Sequence, residues 1–481
     1  MAQEQSPLTA VGLRSERGPV LFAVMVSVSL IAIDTTILAT AVPAIVDDLG
    51  GFAFFPWLFS VFLLAQAVSV PIYGKLSDLF GRKPVMLFGI GVFVVGSLLC
   101  GAAWSMPALI AARAVQGLGA GAVQPMSMTI VGDLYSVAER ARVQGYVASV
   151  WAVSAVVGPT LGGLFVDFGS WRWIFFVNLP LGALAAALLI RRFKEKVQPT
   201  RARIDILGAV LLAGGSSLII LGLLQGGISW PWTSPASVAV LGGGVGLLVS
   251  FALVERRAAE PVLPGWLFRH RLLNSTNLAS LTVGVMLIGL TSYVPLFVQG
   301  VLGTGALVAG FALAALTLGW PLAASVAGRI YLRIGFRATA LVGTAIVACG
   351  AALLMLLSAA STVGQVALTC FVIGLGLGLV AGPTLVAAQS EVGWASRGVV
   401  TGTAMFARSM GSALGIAVFG AIANATLTGS GQQVSETASD VPAALLEPAV
   451  HAVFVASAAV ALAMVVVVAL MPRTAPPAAA D

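Results

Sequence analysis

Fourteen apolar runs, each close to 20 residues long, decide most of what this chain can fold into. They lie near 19–43, 55–74, 84–103, 107–131, 143–166, 172–190, 205–226, 237–254, 275–298, 305–327, 339–358, 363–387, 398–423 and 451–471. Such a run matches one bilayer crossing as an α-helix. The chain is 59% hydrophobic and only 9% charged, with a mean hydropathy of +1.03; soluble domains carry about a quarter charged residues. An all-α integral membrane protein is therefore expected. The 55 glycines suit it, since small residues let membrane helices approach closely. Cys100, Cys349 and Cys370 fall inside apolar runs and read as small buried hydrophobes, with no disulfide or metal site. The first eighteen residues are polar, and no cleavable signal peptide is read before the run opening at Pro19.

The basic residues test the span count independently. With the N-terminus cytoplasmic, 22 of the 25 Lys and Arg fall on the cytoplasmic side, from Arg14 and Arg17 through Lys75, Arg82, Lys83, Arg140 and Arg397 to Arg473. Only Arg172 falls outside, while Arg113 and Arg408 lie within helices. The positive-inside asymmetry thus supports fourteen spans with both termini inside. It also accounts for the pI near 9.8 without nucleic acid as a partner.

Asp34 is the one carboxylate at membrane depth; every other Asp and Glu can be placed at or beyond the end of an apolar run. An ionisable residue there is costly and points to function. Counting from helix ends at 1.5 Å per residue puts Asp34 and Gln116 roughly 13 Å deep and Arg113 roughly 9 Å deep. These three can share a level if their helices face each other.

The chain also repeats itself. Gly117-Leu118-Gly119-Ala120-Gly121 recurs as Gly374-Leu375-Gly376-Leu377-Gly378, an offset of 257 (374 − 117), and Arg140 then falls on Arg397. Gly74 to Gly81 is echoed by Gly328 to Gly335 at offset 254 (328 − 74). The domain plan is a cytoplasmic tail (1–18), a six-helix bundle (19–190), basic linkers with an inserted helix pair (191–274), a second six-helix bundle (275–471) with a loop at 424–450, and a tail (472–481). Two parallel halves are what an alternating-access transporter needs.

Gly74-Lys75-Leu76-Ser77-Asp78-Leu79-Phe80-Gly81-Arg82-Lys83-Pro84 resembles the signature loop of the major facilitator superfamily. Arg113 to Gly121 resembles its fourth-helix motif, and Gly158-Pro159-Thr160-Leu161-Gly162-Gly163 its helix-5 antiporter motif. Asp34-Thr35-Thr36-Ile37 with Ala41-Val42-Pro43 is similar to the first-helix motif of the fourteen-helix drug:proton antiporters. Trp171 to Gly182, and Arg408 to Gly411 with Leu414-Gly415, resemble further signatures of that family. The resemblance implies the major facilitator fold and proton-driven export of amphipathic compounds. Departures are Leu332 where Asp78 stands in the first copy, and Ala39 where several relatives carry Asn.

On this reading Asp34 and Arg113 couple protons, an adjacent Arg favouring the carboxylate and desolvation the acid; the alternative is a static ion pair holding two helices together. Gln116, Trp57, Gln66, Met126 and Arg408 are candidates for a substrate cavity. Interfacial anchoring also explains the aromatics, and helix packing the methionines. Gly74, Asp78, Gly81, Arg82 and Lys83 form the expected conformational-switch loop, in which Asp78 can pair with Arg82 or cap the next helix. Gly158, Pro159, Gly162 and Gly163 are expected to kink helix 5 and pack it against the other half. The expected partners are protons, membrane lipids and a small amphipathic substrate, with a monomer as the functional unit. No cofactor is expected beyond the proton gradient, and no P-loop, metal cluster or nucleophile triad is present in the sequence. The location implied is the plasma membrane of a bacterium. An exporter of lipid or envelope precursors, or a non-transporting sensor or channel, are the competing readings. One deep acid against two arginines favours neutral, anionic or singly charged cargo over dications.

Overall fold

A computed structural model describes residues 12–50, 57–195, 205–226, 230–258, 261–429 and 443–473. Much of the tails, the linker at 196–204 and the loop residues 430–442 lie outside that set, so the expectations placed on them do too. Among the described residues the chain is helical, the one extended feature being an isolated bridge between Gly226 and Trp230.

The helices are α1 (Gly18–Leu49), α2 (Trp57–Phe80), α3 (Arg82–Gly101), α4 (Met106–Leu134), α5 (Val137–Phe168), the short α6 (Trp173–Phe176), α7 (Asn178–Arg192), α8 (Ile206–Gln225) and α9 (Pro235–Glu255). They continue with α10 (Arg271–Leu296), α11 (Ala306–Ile334), α12 (Phe336–Met355), α13 (Val363–Ser390), α14 (Arg397–Gly429) and α15 (Ala443–Ala469). Thirteen spans among the described residues are long and apolar enough to cross a membrane. The remaining expected segment, 143–166, lies within α5, whose 32 residues reach about 48 Å at 1.5 Å each. Side chains start these helices where sequence allows: Ser136 and Glu139 form a capping box on α5, and Thr362 and Gln365 form another on α13.

Two compact units emerge. One holds residues 1–66 and 76–200, the other 67–75 and 201–481. Within each, the sequence repeat is a structural repeat. In the first unit a methyl group on Gly119 would collide with the backbone of Phe93 and stand 2.7 Å from the carbonyl oxygen of Gly89. In the second, one on Gly376 would stand 2.7 Å from both the Gly343 oxygen and the Val347 nitrogen. Phe93 and Val347, like Gly89 and Gly343, are 254 apart (347 − 93; 343 − 89). Likewise Gly117 lies against the backbone of Phe62, and Gly374 against that of Leu316. Missing side chains thus set the contact of α3 with α4 and of α12 with α13, where helix backbones touch. The arginines repeat too. Arg140 donates to the carbonyls of Tyr135 and Gly132, and Arg397 to that of Gln389, eight residues back in both Arg140–Gly132 and Arg397–Gln389.

The signature segment departs from expectation. It is helix rather than loop: α2 continues to Phe80 and α3 starts at Arg82, leaving Gly81 alone as the turn, with φ 97°. Gly335, with φ 84°, makes the same one-residue turn between α11 and α12. Both backbones sit where a side chain is strained, which is what glycine supplies.

Gly119→Ala should therefore destabilise the protein by about 1–3 kcal/mol, because a backbone neighbour cannot step aside. Gly91→Ala, with nothing within 4 Å of the added carbon, should be neutral or slightly stabilising. Thermal unfolding of the two purified variants in detergent checks the pair.

Candidate functional site

Asp34 sits in the middle of α1 and is 1% exposed. Arg113, also 1% exposed, reaches it from α4 with Nη1 2.6 Å from Asp34 Oδ2. Gln116, one turn further along α4, donates Nε2 to Asp34 Oδ1 at 2.7 Å and to Ser97 Oγ at 2.8 Å. Its Oε1 accepts from Arg113 Nη1 at 2.6 Å. From α7, Asn178 donates Nδ2 to Asp34 Oδ1 at 3.0 Å and to Ser97 Oγ at 3.2 Å. Cys100 on α3 donates its thiol to Gln116 Oε1 at 3.7 Å. Arg113 is further held by its Nε on the Leu58 carbonyl, 3.1 Å, and by the face of the Phe62 ring, 4.2 Å from Cζ.

Four helices thus converge on one carboxylate within the first unit. Asp34, Arg113 and Gln116 meet at one level, as counting residues from the helix ends anticipates. Asn178, Ser97 and Cys100 complete the network without having been singled out as functional. Asn178 carried a readable signal, being the lone Asn in the apolar run from Trp173 to Ile190. Ser97 and Cys100 carried none. Gly96 makes room for the network, since a methyl group there would stand 2.6 Å from the Gln116 Cα.

A second charged cluster occupies the α2–α3 turn. Arg82, fully buried rather than solvated, bonds Asp78 at 2.9 Å, Asp133 on α4 at 2.9 Å, and the Ser77 carbonyl at 2.7 Å. Asp78 therefore pairs with Arg82. Glu195 caps α3 by accepting from the backbone nitrogens of Arg82 and Lys83 at 2.8 and 2.9 Å. Lys83 Nζ holds the end of α7 through the carbonyls of Ile190 and Phe193, at 3.0 and 2.6 Å. Asp133 and Glu195 are distant in sequence from the motif they complete. Gly74 falls in the stretch of α2 grouped with the second unit, where it lies against the Gly398 carbonyl.

The remaining candidates are dispersed. Gln66 bonds Gln124 at 2.8 Å. Met126 is wholly buried, which is packing rather than an accessible wall, and Trp57 is half-buried at the start of α2. Gly158 allows α5 to meet α1 at Thr36 and Ile37 inside the first unit, and Thr36 Oγ1 donates to the Ser154 carbonyl at 3.0 Å. Gly162 is buried, Gly163 faces open space, and the Pro159 side chain lies outside the described set. Arg408 is half-buried on α14.

Arg172 follows α5 and clamps the end of α1. It bonds Asp48 at 2.7 Å and the Ala103 carbonyl at 3.1 Å, and stacks on Trp171, whose indole also donates to Asp48 at 3.0 Å. The Arg172 guanidinium first, and the Trp171 indole second, hold the Asp48 carboxyl below its usual range.

This geometry defines a multi-pass α-helical membrane protein with a duplicated helical core and a sealed ionic network in one copy. The sequence model of the Major Facilitator Superfamily matches residues 24–416, and the chain belongs to that superfamily of transporters. It is 34% identical over 416 residues to the "Multidrug transporter protein MdtP" of Bacillus subtilis, covering 86% of this chain and 76% of that one. "Multidrug resistance protein 3" of the same organism is 34% identical over 405 residues, with 84% and 79% covered. Among solved structures, the human organic anion transporter MFSD10 superposes with a TM-score of 0.67 at 17% identity, covering 96% of this chain and all of that one, and so shares the fold.

Two outcomes follow from the site. Arg113→Ala should cost about 3–5 kcal/mol by leaving Asp34 buried and unpaired, and adding Asp34→Asn should recover part of that in thermal unfolding. For Asp48 the lowered folded-state value means that the clamp contributes fully above the ordinary carboxylate range and is lost only as pH falls below it. Acid titration of Trp171 fluorescence, in a variant lacking the other tryptophans, should show that step, and Asp48→Asn should abolish it.

Proposed function

We propose that the chain is a proton-coupled exporter of hydrophobic or amphipathic small molecules, drugs among them, working by alternating access. The observation that carries this reading is the Asp34 network: one acid, deep in an apolar helix, bonded by a cation and two amides. A lone acid at that depth is expensive to keep, and such acids mark substrate or ion pathways and proton relays. The static alternative explains the Arg113 bond. What favours coupling over it is that the chain belongs to a transporter superfamily, in which a deep ionisable residue points to function. The relatives' names, multidrug transporter and multidrug resistance protein, support drugs as cargo.

In this reading Asp34 loads a proton when its side opens to the more acidic compartment and releases it to the other. At 1% exposure the carboxylate exchanges nothing with solvent, so α1 and α4 must part for either step. Cargo binding biases that movement by its differential affinity for the two states. The distribution of Lys and Arg supports cytoplasmic termini, and the Bacillus relatives support a bacterial plasma membrane. A monomer contains every residue of the network. The charge balance of Asp34 against Arg113 and Arg408 favours neutral, anionic or singly charged cargo.

Asp34→Asn in proteoliposomes should reduce drug movement driven by a pH gradient to the leak of empty vesicles, with expression and folding retained. Undiminished gradient-driven transport by that variant would remove Asp34 from coupling.

A further inference from the structure

Around Asp34 one buried polar atom stands without a hydrogen-bond partner, the Oδ1 of Asn178. Gln116 uses both of its amide hydrogens and both acceptor positions: Nε2 on Asp34 and Ser97, Oε1 under Arg113 and Cys100. Asn178 uses both hydrogens, on Asp34 and Ser97, but its Oδ1 is buried with no hydrogen-bond partner. Asn178 itself is 0% exposed. A buried carbonyl oxygen without a donor is uncommon, and each instance asks for an explanation.

The chemistry of the carboxyl supplies one. An ionised carboxylate only accepts, so a neighbouring amide must present its NH2, which is the orientation seen. A protonated carboxyl carries an O–H that must donate, so the amide beside it must present its oxygen. Of the two amides on Asp34 Oδ1, Gln116 cannot turn over, because its NH2 would then face the guanidinium 2.6 Å away, donor against donor. Asn178 bonds no cation; turned over, its NH2 takes the place where Oδ1 now lies without a partner. Turning it places Oδ1 toward Asp34 and toward Ser97, whose hydroxyl can then donate to it while still accepting from Gln116. The charged or titratable side chains bonded into this network are Asp34 on α1, Arg113 on α4 and Cys100 on α3. From α5 the contact to α1 is the Ser154 carbonyl under Thr36, and from α7 it is Asn178 itself.

We propose that Asn178 is the positioning residue of the proton site, its amide turning over when Asp34 Oδ1 takes a proton, so that the unused Oδ1 accepts the new O–H. The inference rests on Asp34 being the proton carrier. It makes α7 a sensor of the charge on α1, because the same side chain bonds the carboxylate through nitrogen and the acid through oxygen.

Infrared pH-difference spectroscopy of the full-length protein in lipid tests this, with Asp34→Asn subtracted to assign the Asp34 band. In the wild type the protonated Asp34 should absorb at the low C=O stretching frequency of an acid that donates a hydrogen bond. Asn178→Leu, or Asn178→Met should the first not fold, removes the acceptor and should move that band to higher frequency. A protonated Asp34 band that stays in place in a folded Asn178 variant would overturn the switch and leave the proton-carrier reading standing. A wild type showing no Asp34 band at any pH where the protein is folded would overturn both.

Discussion

The ion pair of Asp34 with Arg113 is the constraint to which the first unit answers. In a medium without water the desolvation of two charges exceeds what their attraction returns, unless hydrogen bonds satisfy what remains. Each neighbour can be read from that requirement. Arg113 spends its Nε on the Leu58 carbonyl and lays its plane on Phe62, while Asp34 receives amide hydrogens from Gln116 and Asn178. Backbones must come close for such short side chains to meet, and Gly96, Gly117, Gly119 and Gly158 are where they do. The glycines of the fourth-helix and helix-5 motifs are therefore the means by which a charged pair is kept dry.

The second unit shows what the same scaffold looks like without that requirement. Applying the offsets that align the glycines, Arg113 falls on Cys370 and Gln116 on Ile373 at 257, and Ser97 on Ala351 and Cys100 on Leu354 at 254. All four counterparts are buried in one continuous apolar cluster with Val347, Leu377 and Val380. The turn changes likewise: Arg82 falls on Phe336, which packs on Tyr331 at 4.8 Å between ring centroids where Arg82 binds Asp78. Helix contacts, one-residue turns and carbonyl-seeking arginines are common to both units, whereas the Asp34 and Arg82 networks described above lie in the first. What the duplication preserves is packing, and what it does not preserve is the chemistry.

This division explains what was legible in the sequence. Periodic apolar length, positive charge and spaced glycines are local signals, and they read through to helices, turns and the repeat. Asp34 stood out because a single acid in an apolar run is conspicuous on its own. That α1 faces α4 came from family resemblance rather than from spacing, and the partners contributed by other helices were harder still. Asp133 and Glu195 complete the Arg82 cluster from 51 and 113 residues away, and nothing near the motif announces them. The segment from Gly74 to Gly81 read as a loop because its glycines and charges look like one. Inside a bundle Asp78 is paired with Arg82, and a single positive-φ glycine turns the chain.

The two ionic clusters are also joined mechanically. α3 contributes Arg82 to one and Ser97 to the other; α4 contributes Asp133 to the first and Arg113 and Gln116 to the second. Between the clusters the two helices touch backbone to backbone at Gly89 and Gly119, with no flexible side chain to absorb a displacement. Close-packed contacts of this kind transmit movement rather than dissipate it. From Arg113 to Asp133 along α4 is about 30 Å at 1.5 Å per residue. A tilt of α4 accompanying a change in its bonds to Asp34 would be felt at Asp133, whose bond to Arg82 ties it to the glycine turn. The sealed acid and the one-residue turn are two ends of the same pair of helices.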